Sequence, residues 1–331
     1  MQPRRRSAVI AARGAVSRRA GVSDLRTLVR VSRLYYELGE TQEAIAALVG
    51  VTRPQVSRLL KEARTQGVVE IRILDDAVDA TSVASALRDR FHLRAVHLAP
   101  SVDGPAELTR RRVGRLAGDV LRSAIRDGMV LGIGDGAAVA AVAAELEAGD
   151  SAIDATVVPL CGGFWRAGAG SEPFRRIGEA LGATVRTLHA PGLLDDPAVR
   201  DALCAHAGVR NVTDLWTGLD VALFGIGGPN WSEAAVGGQA LAEIRAGAAV
   251  GEVLIAPFAI DGRLVGESLR ARTIAFDARA LRDVALTVGV AAGPGKVAPI
   301  LGALRGRFVN VLVTDRETAE GVLALADEAA A

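Results

Sequence analysis

Apolar residues recur at helical spacing in three successive stretches near the amino terminus. In "SDLRTLVRVSRLYYELG" (23–39) they fall at Leu25, Leu28, Val29, Val31, Leu34, Tyr35 and Leu38, with Ser23 or Asp24 as cap and Gly39 as stop. "TQEAIAALVG" predicts a short helix capped by Thr41, with Ile45, Leu48 and Val49 inward, and Gly50 and Val51 making the turn. "TRPQVSRLLKEAR" (52–64) predicts a third, with Thr52 as cap and Pro54 in the first turn, where a missing N–H does no harm. Its buried stripe is Val56, Leu59, Leu60 and Ala63. In "GVVEIRI" Val69, Ile71 and Ile73 alternate with Glu70 and Arg72, which predicts a strand.

Beyond "LDDAVDATSVA" (74–84), read as a connector running into a helix near 80–91, short apolar runs alternate with helical patterns. "VLGIG" (130–134) precedes the alanine-rich "AAVAAVAAEL". "ATVVPL" ends in Gly162 and Gly163, and "ATVRTLHA" ends at Pro191. "DVALFGIGGP" turns on glycines, "LTVGVAA" meets "GPGK" and the helix "VAPILGAL", and "VNVLVTD" meets "RETAEGVLALADEA". Such alternation predicts a mostly parallel sheet covered on both faces, with ligands beyond the carboxyl ends of its strands.

Helix, short helix, turn, helix, strand is the order of a winged helix-turn-helix. On the third helix Pro54, Ser57, Arg58 and Lys61 lie opposite the buried stripe, and Arg53 and Gln55 flank it. The first turns of such a helix enter the major groove, where Arg suits guanine and Gln suits adenine. Arg58 and Gln55 are therefore the expected base readers. Thr41, Gln42, Thr52, Lys61 and Arg64 are cast as phosphate contacts, which position without specifying.

Charge sharpens that picture. The 331 residues are 50% hydrophobic and 23% charged, with a net charge of +1. Residues 1–73 hold 14 Lys+Arg against 6 Asp+Glu, so +8; the remaining 258 residues hold 25 against 32, so −7. A basic end on an acidic body predicts a polyanionic partner for the first part alone. Residues 1–22 read as a disordered basic tail, residues 23–74 as the DNA-binding domain and residues 75–331 as one large α/β domain. Cys161 and Cys204 form neither a close pair nor a metal spacing, and no secretory signal is visible, which fits a reducing cytoplasm. No run is long and apolar enough for a membrane helix. Neither a metal nor a cofactor is called for.

"LYYELGETQEAIAALVGVTRPQVSRLLKEARTQGVVEIRI" resembles the DNA-binding domain of SorC-family bacterial transcriptional regulators, through its tyrosine pair, its Thr-Gln and its Thr-Arg-Pro-x-Val-Ser-Arg-Leu-Leu run. The resemblance continues through "VLGIGDGAAV", "VVPLCGG", "APGLLDDPAVRDAL", "DVALFGIGGP", "AVGEVLIAPFAIDGRLV" and, most specifically, "VAAGPGKVAPILGALRGRFVNVLVTDRETAEGVL". It implies a sugar-binding and oligomerisation domain similar in fold to ribose-5-phosphate isomerase and glucosamine-6-phosphate deaminase. It further implies operator DNA as partner, a sugar or sugar-phosphate effector acting allosterically, and a homodimer or homotetramer.

Candidate effector residues cluster at the glycine turns: Gly134, Asp135, Gly136, Gly162, Gly163, Asp261 and Lys296. Free N–H groups at such turns favour an anion, although tight turns alone would also account for each glycine. "GIGDGA" misplaces the third glycine of a dinucleotide turn, and "GPGKV" lacks the Ser or Thr of a P-loop. Three departures from the resemblance bear on the ligand. The hydroxyl residues frequent in the first turn are replaced by Asp135, Gly136, Ala137 and Ala138. Only Asp261 survives of a two-acid pattern, and Cys161 stands where relatives place polar or basic groups. An unphosphorylated sugar or polyol therefore competes with a sugar phosphate. Lys296 is the expected contact to a phosphate or carboxylate, unless it is a plain surface lysine. Trp165 and Trp231 could stack on a sugar ring, though packing roles suit them better. Asp195 and Asp196, before Pro197, read as a helix cap. The competing function, an isomerase or deaminase with an accessory DNA module, needs a positioned carboxylate base, and no acid pair near the turns supplies one.

Overall fold

The computed structural model describes residues 24–69, 77–100, 105–149, 151–163 and 172–328. They fall into two compact units, one within residues 1–73 and the other within 74–331.

In the first unit, α1 (Leu25–Ser32) opens on Asp24, whose carboxylate accepts from the Arg26 N–H. A π-helical turn over Arg33–Glu37 follows. The sequence predicted one continuous helix to Gly39. Instead the Leu38 N–H reaches back to the Arg33 carbonyl at 3.1 Å, an i→i+5 bond that widens the last turns. Thr41 Oγ1 caps α2 (Gln42–Val49) by accepting from the Ala44 N–H at 3.2 Å, and Gly50 at φ 75° ends it. The third helix, α3, spans Arg53–Thr65. Val31, Ile45, Val56 and Leu60 form the core, with Leu34, Val49 and Leu59 packed against it. Leu48, expected inward, is 57% exposed, because the two-turn α2 fully buries only Ile45. Most of the expected strand, Glu70–Ile73, lies outside the described residues, as does the basic tail 1–22.

The second unit begins with α4 (Ala77–Phe91), three residues before the expected start, then β1 (Ala95–Ala99) and α5 (Ala106–Ala124). Next come β2 (Val130–Ile133), α6 (Ala137–Glu145), β3 (Thr156–Pro159), α7 (Pro173–Leu181) and β4 (Thr184–Val185). The chain continues through α8 (Pro197–Ala205), α9 (Ala207–Thr213), β5 (Val221–Gly225), α10 (Glu233–Val236) and α11 (Gly238–Ala246). It closes with the hairpin β6 (Ala249–Val253) and β7 (Ala256–Ala259), then α12 (Glu267–Arg270), β8 (Leu286–Val290), α13 (Val297–Arg305), β9 (Val311–Asp315) and α14 (Arg316–Glu328).

Seven of these strands make one parallel sheet in the order β1-β9-β8-β5-β2-β3-β4. Its central strands β8 and β9 are buried at every position, as near-continuous apolar runs covered on both faces should be. One core packs α5, α6 and α7 on the sheet through Val113, Leu121, Val139, Phe174 and Ile177. The other packs α4, α9, α13 and α14 on the opposite face through Leu87, Val212, Ile300, Leu304 and Val322. A satellite cluster of Val236, Leu241, Ile244 and Leu269 joins α10, α11 and α12. The strand expected across "ATVRTLHA" shrinks to the two residues of β4, at the sheet edge.

The strand order changes direction at β2 and β5. From β2 the next strand, β3, lies on one side; from β5 the next sheet strand, β8, lies on the other. The connections diverge there, the place beyond the carboxyl ends of β2 and β5 where sheets of this kind form their ligand crevice.

Candidate functional site

Two sites emerge, one in each unit. On α3, Val56, Leu60 and Ala63 are buried, while Ser57, Arg58, Lys61 and Arg64 form an exposed cationic face. Among the described residues no hydrogen bond or ion pair engages the side chains of Arg58, Lys61 or Arg64. Gln55 differs from expectation: its Oε1 accepts from the Thr52 N–H at 2.7 Å and from the Thr52 hydroxyl at 3.0 Å, closing a capping box. Bidentate reading of adenine needs the carbonyl end that the cap already holds, so Gln55 is a cap first. Arg53 pairs with Glu43 at 2.9 Å, which ties α3 to α2. Thr41 is the cap of α2, and Gln42 is half-buried in its first turn. Ser57, Arg58, Lys61 and Arg64 thus stay exposed on one face of α3, and Thr41, Thr52, Arg53 and Gln55 set the geometry of the two helices.

In the second unit, the crevice at the β2/β5 divergence gathers polar side chains from five segments. Lys296, just before α13, points its Nζ at the Ile226 carbonyl, 2.9 Å away at the end of β5. Burial pushes its ammonium below the usual lysine range. The Glu252 carboxylate opposes that shift, and Arg110 of α5 reinforces it. Glu252, on β6, accepts from the Trp231 indole N–H at 3.0 Å. Its backbone pairs with Gly227, whose N–H reaches the Glu252 carbonyl at 2.8 Å. A Cβ on Gly227 would stand 2.4 Å from the Glu252 side chain, so glycine is required for Glu252 to lie there. Asp135 follows β2 exposed, and its Oδ1 accepts from the Gly136 N–H at 2.7 Å. Cys161, at the end of β3, is a buried free thiol pushed up to about 12 by burial first and by the Asp135 charge second.

The expected glycine donors are mostly spent. The Gly134 N–H bonds to Leu223, that of Gly162 to Ile274 and that of Gly163 to Ala190. A Cβ on Gly162 would meet Pro191 at 2.5 Å, so that glycine serves chain packing rather than a ligand. The Gly293 N–H donates to Asp315 and Thr318 at 2.8 and 2.9 Å. Asp261 is not part of the crevice. It accepts from the Arg263 N–H in a tight turn, and Gly262 beside it packs on Gly306, past the carboxyl end of α13. Lys296 lies before the other end of that helix, about 13 Å away at 1.5 Å per residue. Asp196 caps α8 through the Ala198 N–H, as expected. Trp165 lies outside the described residues. Glu252 and Arg110 escaped the sequence reading: one sits in a segment without a clear period, the other in an arginine run. Among the described residues no group of three or more His, Cys, Asp or Glu is placed to hold a metal ion.

Comparison with known proteins decides the family. The Sugar-bind family, a family of sugar-binding domains, matches residues 75–324, and a Crp-like helix-turn-helix domain matches residues 25–77. The sorbitol operon regulator of Klebsiella pneumoniae is 31% identical over 312 residues, covering 91% of this chain and 98% of the relative. The chain belongs to the SorC family of transcriptional regulators. The crystal structure of the full-length sorbitol operon regulator SorC from Klebsiella pneumoniae superposes with a TM-score of 0.77 at 30% identity, over 92% of this chain and all of that one. The deoxyribonucleoside regulator of Bacillus subtilis is 26% identical over 89% of this chain and 96% of its own length. A probable sor operon regulator from Shigella flexneri superposes with a TM-score of 0.68 at 26% identity, over 74% of this chain and 99% of that one. These relatives are regulators, not isomerases or deaminases. This SorC-family member is accordingly a DNA-binding transcriptional regulator with a sugar-binding domain. Among the described residues no helix is long and apolar enough to cross a membrane.

Proposed function

We propose that α3 reads operator DNA through Arg58, and that a sugar-class ligand bound in the β2/β5 crevice sets the affinity of that reading. The observation that carries the proposal is the exposed Ser57, Arg58, Lys61 and Arg64 face on a helix whose entry is fixed by the Thr52–Gln55 capping box. Arg58 supplies the fork that matches guanine O6 and N7, and Lys61 and Arg64 neutralise phosphates. The protein works as a homodimer or homotetramer on a pseudo-palindromic site, because paired half-sites need paired recognition helices. Lys296, Glu252, Asp135 and Trp231 form the effector contacts. Effector binding shifts operator affinity only by as much as the ligand discriminates between the two states of the protein.

Arg58→Ala is the test. It should cost about 1–3 kcal/mol on the promoter site and relax discrimination at one base pair, with folding intact. Competition between promoter and random duplexes in a fluorescence anisotropy titration measures it. Equal loss on both duplexes would make Arg58 a phosphate contact and remove the base-reading role.

A further inference from the structure

The crevice just described is already furnished with negative charge, and this bears on what it takes. That bearing rests on the crevice being the effector site. At the α6 entrance the first-turn N–H groups have no intrahelical partner, which ordinarily makes such a turn a seat for a phosphate. Here the chain brings its own anion: Asp135 lies at that turn and its carboxylate takes the Gly136 N–H at 2.7 Å. Gly136 is the residue before the helix and no side chain bonds the first-turn N–H groups themselves, so Asp135 sets a carboxylate beside them without engaging them. The backbone N–H groups of Gly134, Gly162, Gly163 and Gly293 are committed to internal acceptors. Each of the two cations already faces a carboxylate. Lys296 donates to the Ile226 carbonyl and faces Glu252, and Arg110 forms an ion pair with Glu107 of its own helix. Glu252, held by Trp231, adds a second carboxylate to the same space.

We propose that this crevice selects a neutral polyhydroxylated ligand, a free sugar or polyol, and rejects the phosphate ester of the same compound. Carboxylates only accept hydrogen bonds, so Asp135 and Glu252 are suited to the hydroxyls of a neutral ligand. Lys296 retains donor capacity for a ring or carbonyl oxygen. A phosphate seated on the first-turn N–H groups would sit beside Asp135, like charge against like.

The test needs no knowledge of the natural effector. Inorganic phosphate is titrated into the full-length protein by calorimetry, alongside fructose, ribose and glucitol, each paired with its phosphate ester. The wild-type protein should show no saturable phosphate binding. Asp135→Asn, isosteric and at an exposed position, should bind phosphate and the esters about tenfold or more tightly than wild type. Asp135→Ser serves as a second variant, and circular dichroism verifies that both fold. Saturable binding of phosphate or an ester to wild type, abolished by Lys296→Ala, would overturn the proposal. Equal indifference of wild type and both Asp135 variants to phosphate would overturn it too, because Asp135 would not be what excludes the anion. Failure of the regulator reading shows elsewhere, as a DNA affinity that no ligand changes, and the phosphate titration involves no DNA.

Discussion

At Cys161 the crevice leaves a chemical mark that can be read directly. Its thiol is pushed from the ordinary 9.0 to about 12 by burial and by the neighbouring carboxylates of Asp135 and Glu252. At pH 8 it is therefore a neutral thiol with about a thousandfold less thiolate than an unperturbed cysteine. A thiol reagent at pH 8 should modify the partly exposed Cys204 and leave Cys161 unmodified in the folded protein. Rapid loss of both thiols would show that Asp135 and the buried surroundings do not act on Cys161. Single residues were also where the sequence was hardest to read. The sequence marks Arg58 and Lys296 by type and position, a cation opposite an apolar stripe and a lysine after a glycine turn; the structure leaves Arg58 exposed and half-buries Lys296. Glu252 could not be found that way. It reaches the crevice only because β6 pairs back on Gly227, a contact that no local pattern encodes. Asp261 failed for the converse reason: the "IDGR" turn looks the same in sequence whether it lines a pocket or, as here, lies at the far end of α13. Gln55 shows a third case, in which one side chain fits two roles and the capping box takes it.

Elements were more legible than contacts. Apolar spacing together with Asp24, Thr41, Thr52 and Gly50 marked all three helices of the first unit, since caps satisfy backbone groups that every helix end exposes. The parallel strands β2, β5, β8 and β9 stood out as near-continuous apolar runs. Strand β1 did not, because "AVHLA" is short, half-buried at the sheet edge and interrupted by His97. The arginine-rich α5 and the β6–β7 hairpin also lacked a clear period. Two crevice turns share a conformation that the sequence could only suggest: Gly136 has φ 111° and ψ 174°, Gly293 has φ 95° and ψ 161°. Both start a helical turn, and both have open space where a Cβ would go. Substitution there meets backbone strain without a clash, so Gly293→Ala should lower stability by about 1–3 kcal/mol. Chemical denaturation measures it, and an unchanged midpoint would mean that the turn tolerates an ordinary residue.

At the scale of the molecule, the chain joins a basic reading unit to an acidic sugar-binding body, +8 against −7. It contains only two lysines, Lys61 on α3 and Lys296 in the crevice, one in each candidate site. Linkage makes their roles reciprocal: if a ligand at Lys296 weakens DNA at Arg58, DNA weakens that ligand by the same factor. The account is tested most directly by the affinity of the full-length protein for a duplex from its own promoter, measured by anisotropy with and without a saturating panel of free pentoses, hexoses and hexitols. One neutral ligand should change DNA affinity by about 5-fold or more. Lys296→Ala should abolish that change while binding ligand-free DNA as wild type does. DNA affinity that stays constant across the panel, or a ligand effect that survives Lys296→Ala, would contradict the crevice as the site that controls DNA reading.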